Sequence, residues 1–210
     1  MATQALQPIN SIEARILGSL VEKEATTPDQ YPCTENAVQL ACNQKTNRDP
    51  IMEVSLGDVG HALRRMTERG LVKEARSVRA LRFEHRLAQV YALTAQQQAI
   101  IAVLLLRGPQ TLREIMTRTE RLKGFADDDE LLHTLERLQQ RDAPLVVRIP
   151  KAAGQREDRF MHLLCGPVDV EALRASVAVA QAAPSGSLAE RVAQLEARVE
   201  ALERLINEKE

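Results

Sequence analysis

Basic residues are concentrated in residues 61–90, where side chains that can bind phosphate outnumber acidic ones. The eight cations are Arg64, Arg65, Arg69, Lys73, Arg76, Arg79, Arg82 and Arg86, and the three acids are Glu68, Glu74 and Glu84. This local excess of positive charge stands in a chain whose formal net charge is -1. Guanidinium and ammonium groups at this density suit contacts with the phosphates of duplex DNA, although a solvated charged face is the alternative interpretation.

A run of polar residues, NQKTNRD at positions 43–49, lies just before this segment. Asn and Asp side chains satisfy nearby backbone groups in turns, which favours a role in holding the flanking helices at their angle. The run also predicts that Lys45 and Arg48 are offered to phosphate, as in a turn that contacts a DNA backbone. Direct ligand contact and a purely structural turn both remain open here.

Residues with catalytic or metal-binding chemistry are scattered along the chain. The histidines, which lack metal-ligand spacing, are His61, His85, His133 and His162. Neither a glycine-rich phosphate loop nor a GxSxG motif is present in the sequence. Cys42 lies in a short helical stretch of small apolar residues, which usually buries a thiol. The adjacent carboxylates at positions 127–130 cannot all converge on one cation from one helical turn. The sequence therefore predicts no enzyme, no metal site and no cofactor.

Composition narrows the class of protein further. The chain has 210 residues, enough for one or two domains with buried cores. Aromatic residues make up 2% and Trp is absent, which disfavours binders that stack single-stranded bases. Cys33, Cys42 and Cys165 are widely spaced, as expected in a reducing compartment. With no signal-peptide pattern and no apolar run of membrane-spanning length, we predict a soluble, cytoplasmic protein.

The first part of the chain has the pattern of three helices. Asn10 followed by Glu13 predicts a capping box at the start of the first helix. Thr34 predicts the N-cap of a short second helix, and Ser55 opens a third, which Gly70 ends. The apolar face of the third helix consists of Leu56, Val59, Leu63 and Met66.

A β-hairpin follows the three predicted helices, with strands at residues 71–76 and 81–87. In the second strand Leu81, Phe83 and Leu87 share one parity, and charged residues occupy the other, which indicates a half-buried strand. Three helices followed by a hairpin is the order of a winged helix-turn-helix domain. We assign this domain to residues 1–90.

The pattern repeats after about 75 residues, which predicts a second winged helix-turn-helix domain at residues 91–167. Helices are predicted at 94–107, 111–119 and 127–141, and strands at 145–149 and 159–165. The predicted strands place His85 and His162 at matching positions, which favours structural roles for both. The third helix of this copy begins Asp127-Asp128-Asp129-Glu130, which would repel phosphates. We therefore assign the second domain to structure, dimer contact or binding of a protein partner.

The C-terminal segment is predicted to be a linking helix and flexible joint at residues 168–186, then a coiled-coil helix at 187–210. The heptad seam consists of Leu188, Val192, Leu195, Val199, Leu202 and Ile206. β-Branched residues alternating with Leu favour a parallel dimer, in which Arg191 would meet Glu196 of the second copy. The alternative is a terminal helix that packs on its own chain.

Four motifs resemble a known family. They are EKEATTPDQYP (residues 22–32), ACNQKTNRDP (41–50), LLLRGPQT (104–111) and FMHLLCG (160–166). Together they are similar to the YceH-like family of bacterial tandem winged-helix proteins of unknown function. The resemblance covers roughly residues 10–166 and implies two winged domains and a bacterial cytoplasmic setting, but no activity. Cys33 departs from the pattern, where a helix-leading polar residue is expected.

We therefore predict a mainly α protein with small β-hairpins (α+β), built from tandem winged helix-turn-helix domains and a C-terminal coiled coil. Its predicted function is double-stranded DNA binding, as a transcriptional regulator and homodimer. The residues expected at base edges are His61, Arg64 and Arg65, and those expected at phosphates are Lys45, Arg48, Arg76, Arg79 and Arg82. The alternative is a non-catalytic adaptor that uses its winged domains as a docking surface for other proteins.

Overall fold

The computed structural model describes residues 7–76, 80–151 and 155–173, with Arg76 described in its backbone alone. The chain divides into two compact units, Met1–Val170 and Glu171–Glu210. The first unit is mixed α and β, with helices and two small antiparallel sheets. The predicted coiled coil and most of the predicted linking helix lie outside the described residues.

The elements of the first unit follow in chain order. The first group is α1 (Ser11–Thr26), a short 3-10 helix (Pro28–Gln30), β1 (Cys33–Thr34), α2 (Glu35–Cys42), α3 (Leu56–Glu68), β2 (Val72–Arg76), β3 (Leu81–His85) and α4 (Leu87–Tyr91). The second group is α5 (Ala95–Arg107), β4 (Gln110–Thr111), α6 (Leu112–Lys123), α7 (Asp128–Gln139), β5 (Val146–Ile149) and β6 (Arg159–His162).

The two groups share one topology. In each, a helix leads to a short strand, two further helices and a hairpin, and the strand orders are β1-β3-β2 and β4-β6-β5. Thr34 pairs with Arg82 in the first sheet, as Thr111 pairs with Arg159 in the second. The repeat predicted from the sequence is therefore present in the order of elements and in the strand register.

Side-chain caps set the starts of the leading helices. The Asn10 side chain accepts from the Glu13 amide at 2.9 Å, and the Glu13 carboxylate accepts from the Asn10 amide at 3.0 Å, which completes the predicted capping box. Thr94 and Gln97 form the same arrangement at the start of α5. Both leading helices thus begin where their sequences predict.

The core is continuous between the two groups because α1 packs against α5. Gly18 allows the close approach: a Cβ built there would lie 2.8 Å from Leu106 Cγ. The fully buried side chains on these two helices include Ile16, Leu17, Leu20, Ile100 and Leu104. Residues 1–90 and 91–167 therefore share one apolar core. The proposed boundary between them stays a prediction.

The structure differs from the sequence predictions at several element ends. Leu87, expected to extend the strand, begins α4 instead, because the Arg86 amide donates to Leu71 O and the chain then turns into a helix. The helix predicted at 111–119 continues to Lys123. The two-residue strands β1 and β4 were not predicted, since they exist only by pairing with β3 and β6.

Within the described part of the chain, none of the helices has the length and apolar character needed to cross a bilayer.

Candidate nucleic-acid interface

Helix α3 is held by its apolar face and presents a polar face to solvent. Ser55 caps the helix by accepting from the Asp58 amide at 3.1 Å. The buried side is formed by Val59, Gly60, Ala62, Leu63 and Met66. His61, Arg64, Arg65 and Glu68 are exposed on the other side. The core therefore fixes the direction in which these polar side chains project.

Two arginines of this region are tied to the buried carboxylate of Glu13. Arg69 Nη1 lies 3.0 Å from Glu13 Oε2, and Arg65 Nη2 lies 3.5 Å from Oε1. The Glu13 side chain is fully buried, whereas the Arg65 side chain remains 48% exposed. Arg69 thus links α3 to the start of α1, and the charge of Arg65 is partly compensated.

Arg64, His61 and Lys45 remain available. All three are exposed, and none forms an ion pair with another residue that the structure describes. Arg64 and His61 lie one helical turn apart, which places them on the same face of α3. These are the predicted contact residues whose geometry leaves them free to meet a ligand.

Arg48 was predicted to hold phosphate, and the structure corrects this. Its side chain is fully buried, with Nη2 2.5 Å from Glu22 Oε2. Nε donates to Ala41 O at 3.0 Å, and Nη1 donates to Asn47 O at 2.9 Å. With the guanidinium enclosed and each of its nitrogens bonded, Arg48 binds the polar turn to α1 and cannot reach a phosphate.

Asn43, the first residue of the polar turn, supports the structural role that the sequence predicted. Asn43 Nδ2 donates to Val54 O at 2.9 Å, and its Oδ1 accepts from the Val54 amide at 2.8 Å. Gln39 also donates to Val54 O, at 3.2 Å. These bonds join the end of α2 to Val54, the residue that precedes the N-cap of α3. They therefore fix the orientation of α3 relative to α2.

The hairpin contributes fewer free cations than the sequence suggested. Arg82 Nη1 donates to Pro32 O at 2.7 Å, and Lys73 pairs with Glu84 at 3.1 Å. Arg79 lies outside the described residues, and the Arg76 backbone pairs with Leu81. Arg82 is therefore a link within the sheet. The roles of Arg76 and Arg79 stay predictions.

His85 and His162 are both buried, which agrees with the structural roles that the sequence favoured for them. His85 Nε2 lies 2.8 Å from Glu24 Oε2, and the His85 amide donates to Tyr31 Oη at 2.8 Å. His162 is enclosed at the matching place in the second sheet, and burial lowers its pKa to about 4. Neither histidine belongs to an accessible site.

The second group offers a contrasting surface. Its buried residues Leu131, Leu135 and Leu138 repeat the spacing of Val59, Leu63 and Met66. By that register His133 and Arg137 correspond to His61 and Arg65, but Arg64 corresponds to the acidic Glu136. Acidic residues also fill the first turn of α7. Arg64 therefore has an acidic counterpart in the second group, and α7 lacks the exposed pair of arginines that α3 carries.

A second concentration of cations was not predicted from the sequence. Arg107, Arg118 and Arg121 line one cavity of ≈ 270 Å³, and Arg121 also lines an adjoining one with Lys45. The residues come from α5, α6 and the polar turn. The spacing of Arg118 and Arg121 on α6 was the available signal, but it gives no indication of which surface they face.

Residues 9–155 match the protein family described as "Protein of unknown function, DUF480". The chain belongs to the DUF480 family. This confirms the membership expected from the motifs, three of which lie entirely inside the matched region.

Relatives in the same family align over most of their length. A UPF0502 protein of Stenotrophomonas maltophilia (strain K279a) is 56% identical over 93% of this chain and 91% of its own. One from Xanthomonas campestris pv. campestris (strain B100) is 52% identical over 95% of this chain and 88% of its own length. One from Xanthomonas oryzae pv. oryzae is 54% identical over 93% of this chain and 86% of its own length. Their names assign no activity.

Proposed function

We propose that the protein binds double-stranded DNA through its first group of elements and regulates transcription as a homodimer. On this proposal each group is a winged helix-turn-helix domain, at residues 1–90 and 91–167. The order of helix, strand, two helices and hairpin supports that assignment. In such domains the third helix enters the major groove.

The observation that carries the proposal is the position of Arg64 and His61 on the exposed face of α3. The opposite face is buried, so both side chains project away from the core. Arginine can donate two parallel hydrogen bonds to a guanine edge, which makes Arg64 the residue best suited to base contact. Arg65, still half-exposed, would contribute beside it.

Phosphate contacts on this proposal come from Lys45, which is exposed on the turn before α3, and from Arg76 and Arg79 of the hairpin. Arg82 uses one nitrogen to bond Pro32 and is partly buried, so its contribution would be smaller. Phosphate contacts position a protein on DNA without reading its sequence.

The homodimer rests on the heptad seam in the sequence of the C-terminal segment, which lies outside the described residues. A two-fold dimer would read a pseudo-palindromic site with half-sites about 10 bp, or a multiple of it, apart. Deletion of residues 185–210 is expected to halve the molar mass measured by light scattering. An unchanged molar mass would exclude the coiled coil as the dimer contact.

The test of DNA binding is a fluorescence-anisotropy titration of the full chain with random-sequence duplex between roughly 50 and 200 mM salt. We expect binding that weakens steeply as salt rises. Arg64→Glu should weaken it at least about tenfold, because a cation at the groove becomes an anion. Arg137→Glu makes the same charge change on the corresponding helix of the second group and should leave binding unchanged. Wild-type protein that shows no salt-sensitive binding at micromolar concentration would reject the proposal.

A second candidate is the protein-docking adaptor. The observation that favours it is the exposure of Leu40, Ile51 and Leu56 on and between α2 and α3. Contiguous exposed apolar patches mark contact surfaces, whereas single exposed apolar side chains are common. If duplex binding is absent, replacing Leu40 and Ile51 with Ser should abolish cross-linking to a partner protein in cells. Unchanged cross-linking would count against the adaptor.

A further inference from the structure

A cleft lined by cations lies where the end of α1, the polar turn, the end of α5 and helix α6 meet. It consists of a cavity of ≈ 270 Å³ and an adjoining, more open one of ≈ 370 Å³. The two share Glu22, Asn47 and Arg121 as lining residues. We call these joined cavities the cationic cleft.

Positive charge dominates its walls. The cations that line it are Lys23, Lys45, Arg107, Arg118 and Arg121. The carboxylate among the lining residues, Glu22, is already bonded to the buried Arg48 at 2.5 Å. Arg118 lies 3.5 Å from Glu114, whereas Lys23, Lys45 and Arg121 form no ion pair within the described ranges. The cleft therefore holds more positive charge than its own carboxylates compensate.

The arginines are close enough to affect one another. Burial, and next the guanidinium of Arg118, lower the pKa of Arg107. The carboxylate of Glu22 opposes this, and Arg48 and Arg121 add smaller lowering contributions. Arg107 donates to the Asn47 side chain, which holds it against the polar turn. Like charges held together raise the free energy of the empty site, and an anion bound among them would lower it.

The floor of the smaller cavity is apolar. Val103, Leu106 and Leu122 line it beside the guanidinium groups. Small-molecule sites commonly combine apolar walls with a few polar groups that fix orientation. A DNA duplex is too wide to enter a cavity of ≈ 270 Å³, but a compact molecule can.

We propose that the cationic cleft binds a small phosphate-bearing molecule, with the phosphate among Arg107, Arg118 and Arg121 and a less polar portion against Val103, Leu106 and Leu122. Guanidinium groups bind phosphate through paired, charge-assisted hydrogen bonds. This site is separate from the exposed face of α3 and does not require that the protein bind DNA.

The test uses isothermal titration calorimetry on the full chain at fixed ionic strength set with sodium chloride. The probes are inorganic phosphate, pyrophosphate, adenosine 5′-monophosphate and adenosine. We expect the phosphate-bearing probes to bind and adenosine not to bind, with the monophosphate tighter than inorganic phosphate because of the apolar floor. Equal affinity for those two would overturn the role given to the floor. Absence of binding by all the phosphate probes would overturn the site.

Two variants on α6 separate the cleft from general surface charge. Arg121→Gln should weaken binding of pyrophosphate at least about tenfold, since a charge-assisted contact is lost. Arg113→Gln removes an exposed charge from the same helix outside the cleft and should have no effect. Equal weakening by both variants would contradict the proposal.

Amide chemical shifts locate the bound probe. In ¹H–¹⁵N spectra, pyrophosphate should shift amides at positions 44–47 and 117–122 and leave those of α3 unaffected. Shifts confined to α3 and the hairpin would overturn the assignment. So would a result in which Arg121→Gln weakens binding of duplex DNA while no small phosphate binds, because the cleft would then belong to a nucleic-acid surface.

Discussion

Arg82 and Arg159 make the same hydrogen bond in the two sheets. Arg82 Nη1 donates to Pro32 O at 2.7 Å, and Arg159 Nη1 donates to Pro109 O at 3.0 Å. Each proline lies just before a two-residue edge strand, and each arginine lies on the central strand that pairs with it. The duplicated contact fastens a short edge strand that has few backbone bonds of its own. It also explains why Arg82 is less available to DNA than its charge suggests.

The buried pair of Arg48 and Glu22 should matter to stability far more than a surface pair. Arg48→Met leaves the Glu22 carboxylate without its partner and is expected to cost about 3 kcal/mol. Lys73→Met breaks an exposed pair with Glu84 and should cost less than about 1 kcal/mol. Urea unfolding followed by circular dichroism measures both. Equal losses of unfolding free energy would show that Arg48 does not hold the polar turn to α1.

The contact between α1 and α5 predicts opposite effects for alanine at two helical glycines. At Gly18 a Cβ would lie 2.8 Å from Leu106 Cγ and 3.2 Å from Leu105 Cβ, so overpacking of about 1–3 kcal/mol should outweigh the gain in helix propensity. At Gly57 the nearest atom would be 3.8 Å away. Gly57→Ala should therefore raise the melting temperature and Gly18→Ala should lower it. A higher melting temperature for Gly18→Ala would mean that the two helices can separate slightly at little cost.

The Tyr31 hydroxyl accepts from the His85 amide, at a point of β3 beyond the reach of β1. Tyr31→Phe should leave that amide without a partner and cost about 1–2 kcal/mol of unfolding free energy. Tyr91→Phe is the control, because Tyr91 is buried, whereas Tyr31 is partly buried, and the Tyr91 hydroxyl bonds no other described residue. Hydrogen exchange at the His85 amide should quicken in the Tyr31 variant alone. Unchanged exchange would show that the amide is protected without the hydroxyl.

Burial of His162 predicts a loss of stability in mild acid. Its folded-state pKa is about 4, against the ordinary 6.5, and its Nδ1 has no hydrogen-bond partner in the described part of the chain. As the pH falls below 6.5 the imidazole takes up a proton in the unfolded chain first, so the unfolded state is favoured progressively until about pH 4. The full effect is of the order of 3 kcal/mol.

His162→Leu removes this proton linkage while keeping an apolar core. The difference in unfolding free energy between wild type and variant should change between pH 6.5 and 4 and be constant above pH 7. Carboxylates common to both proteins cancel in that difference. A difference that stays constant throughout would mean that His162 titrates normally in the folded protein.

Much of the local structure could be predicted because its causes lie within a few residues. Short-range spacing determines the capping box of Asn10 and Glu13 and the burial of Val59, Leu63 and Met66 on one face of α3. It also determines the glycine that follows the end of α3. The repeat was predictable for the same reason, since each copy carries its own pattern. The β1 and β4 strands were not, because two residues carry no periodic signal.

The candidate site could be predicted only in part. Exposure of Arg64 and His61 followed from the helical phase of α3. Burial of Arg48 did not, because its partner Glu22 is 26 residues away and nothing in a polar turn distinguishes an enclosed arginine from a free one. The cationic cleft was missed because its residues belong to four separate segments of the chain.

The sequence by itself determined where the capped helices begin, which faces are apolar, and that one arrangement of elements occurs twice. Tertiary structure alone decided which charges are neutralised, because Glu13 reaches Arg65 and Arg69, and Glu22 reaches Arg48, only after α1 packs against the rest of the core. Local spacing fixes backbone conformation through short-range forces. The availability of a charge depends on carboxylates that are distant in sequence and close in space.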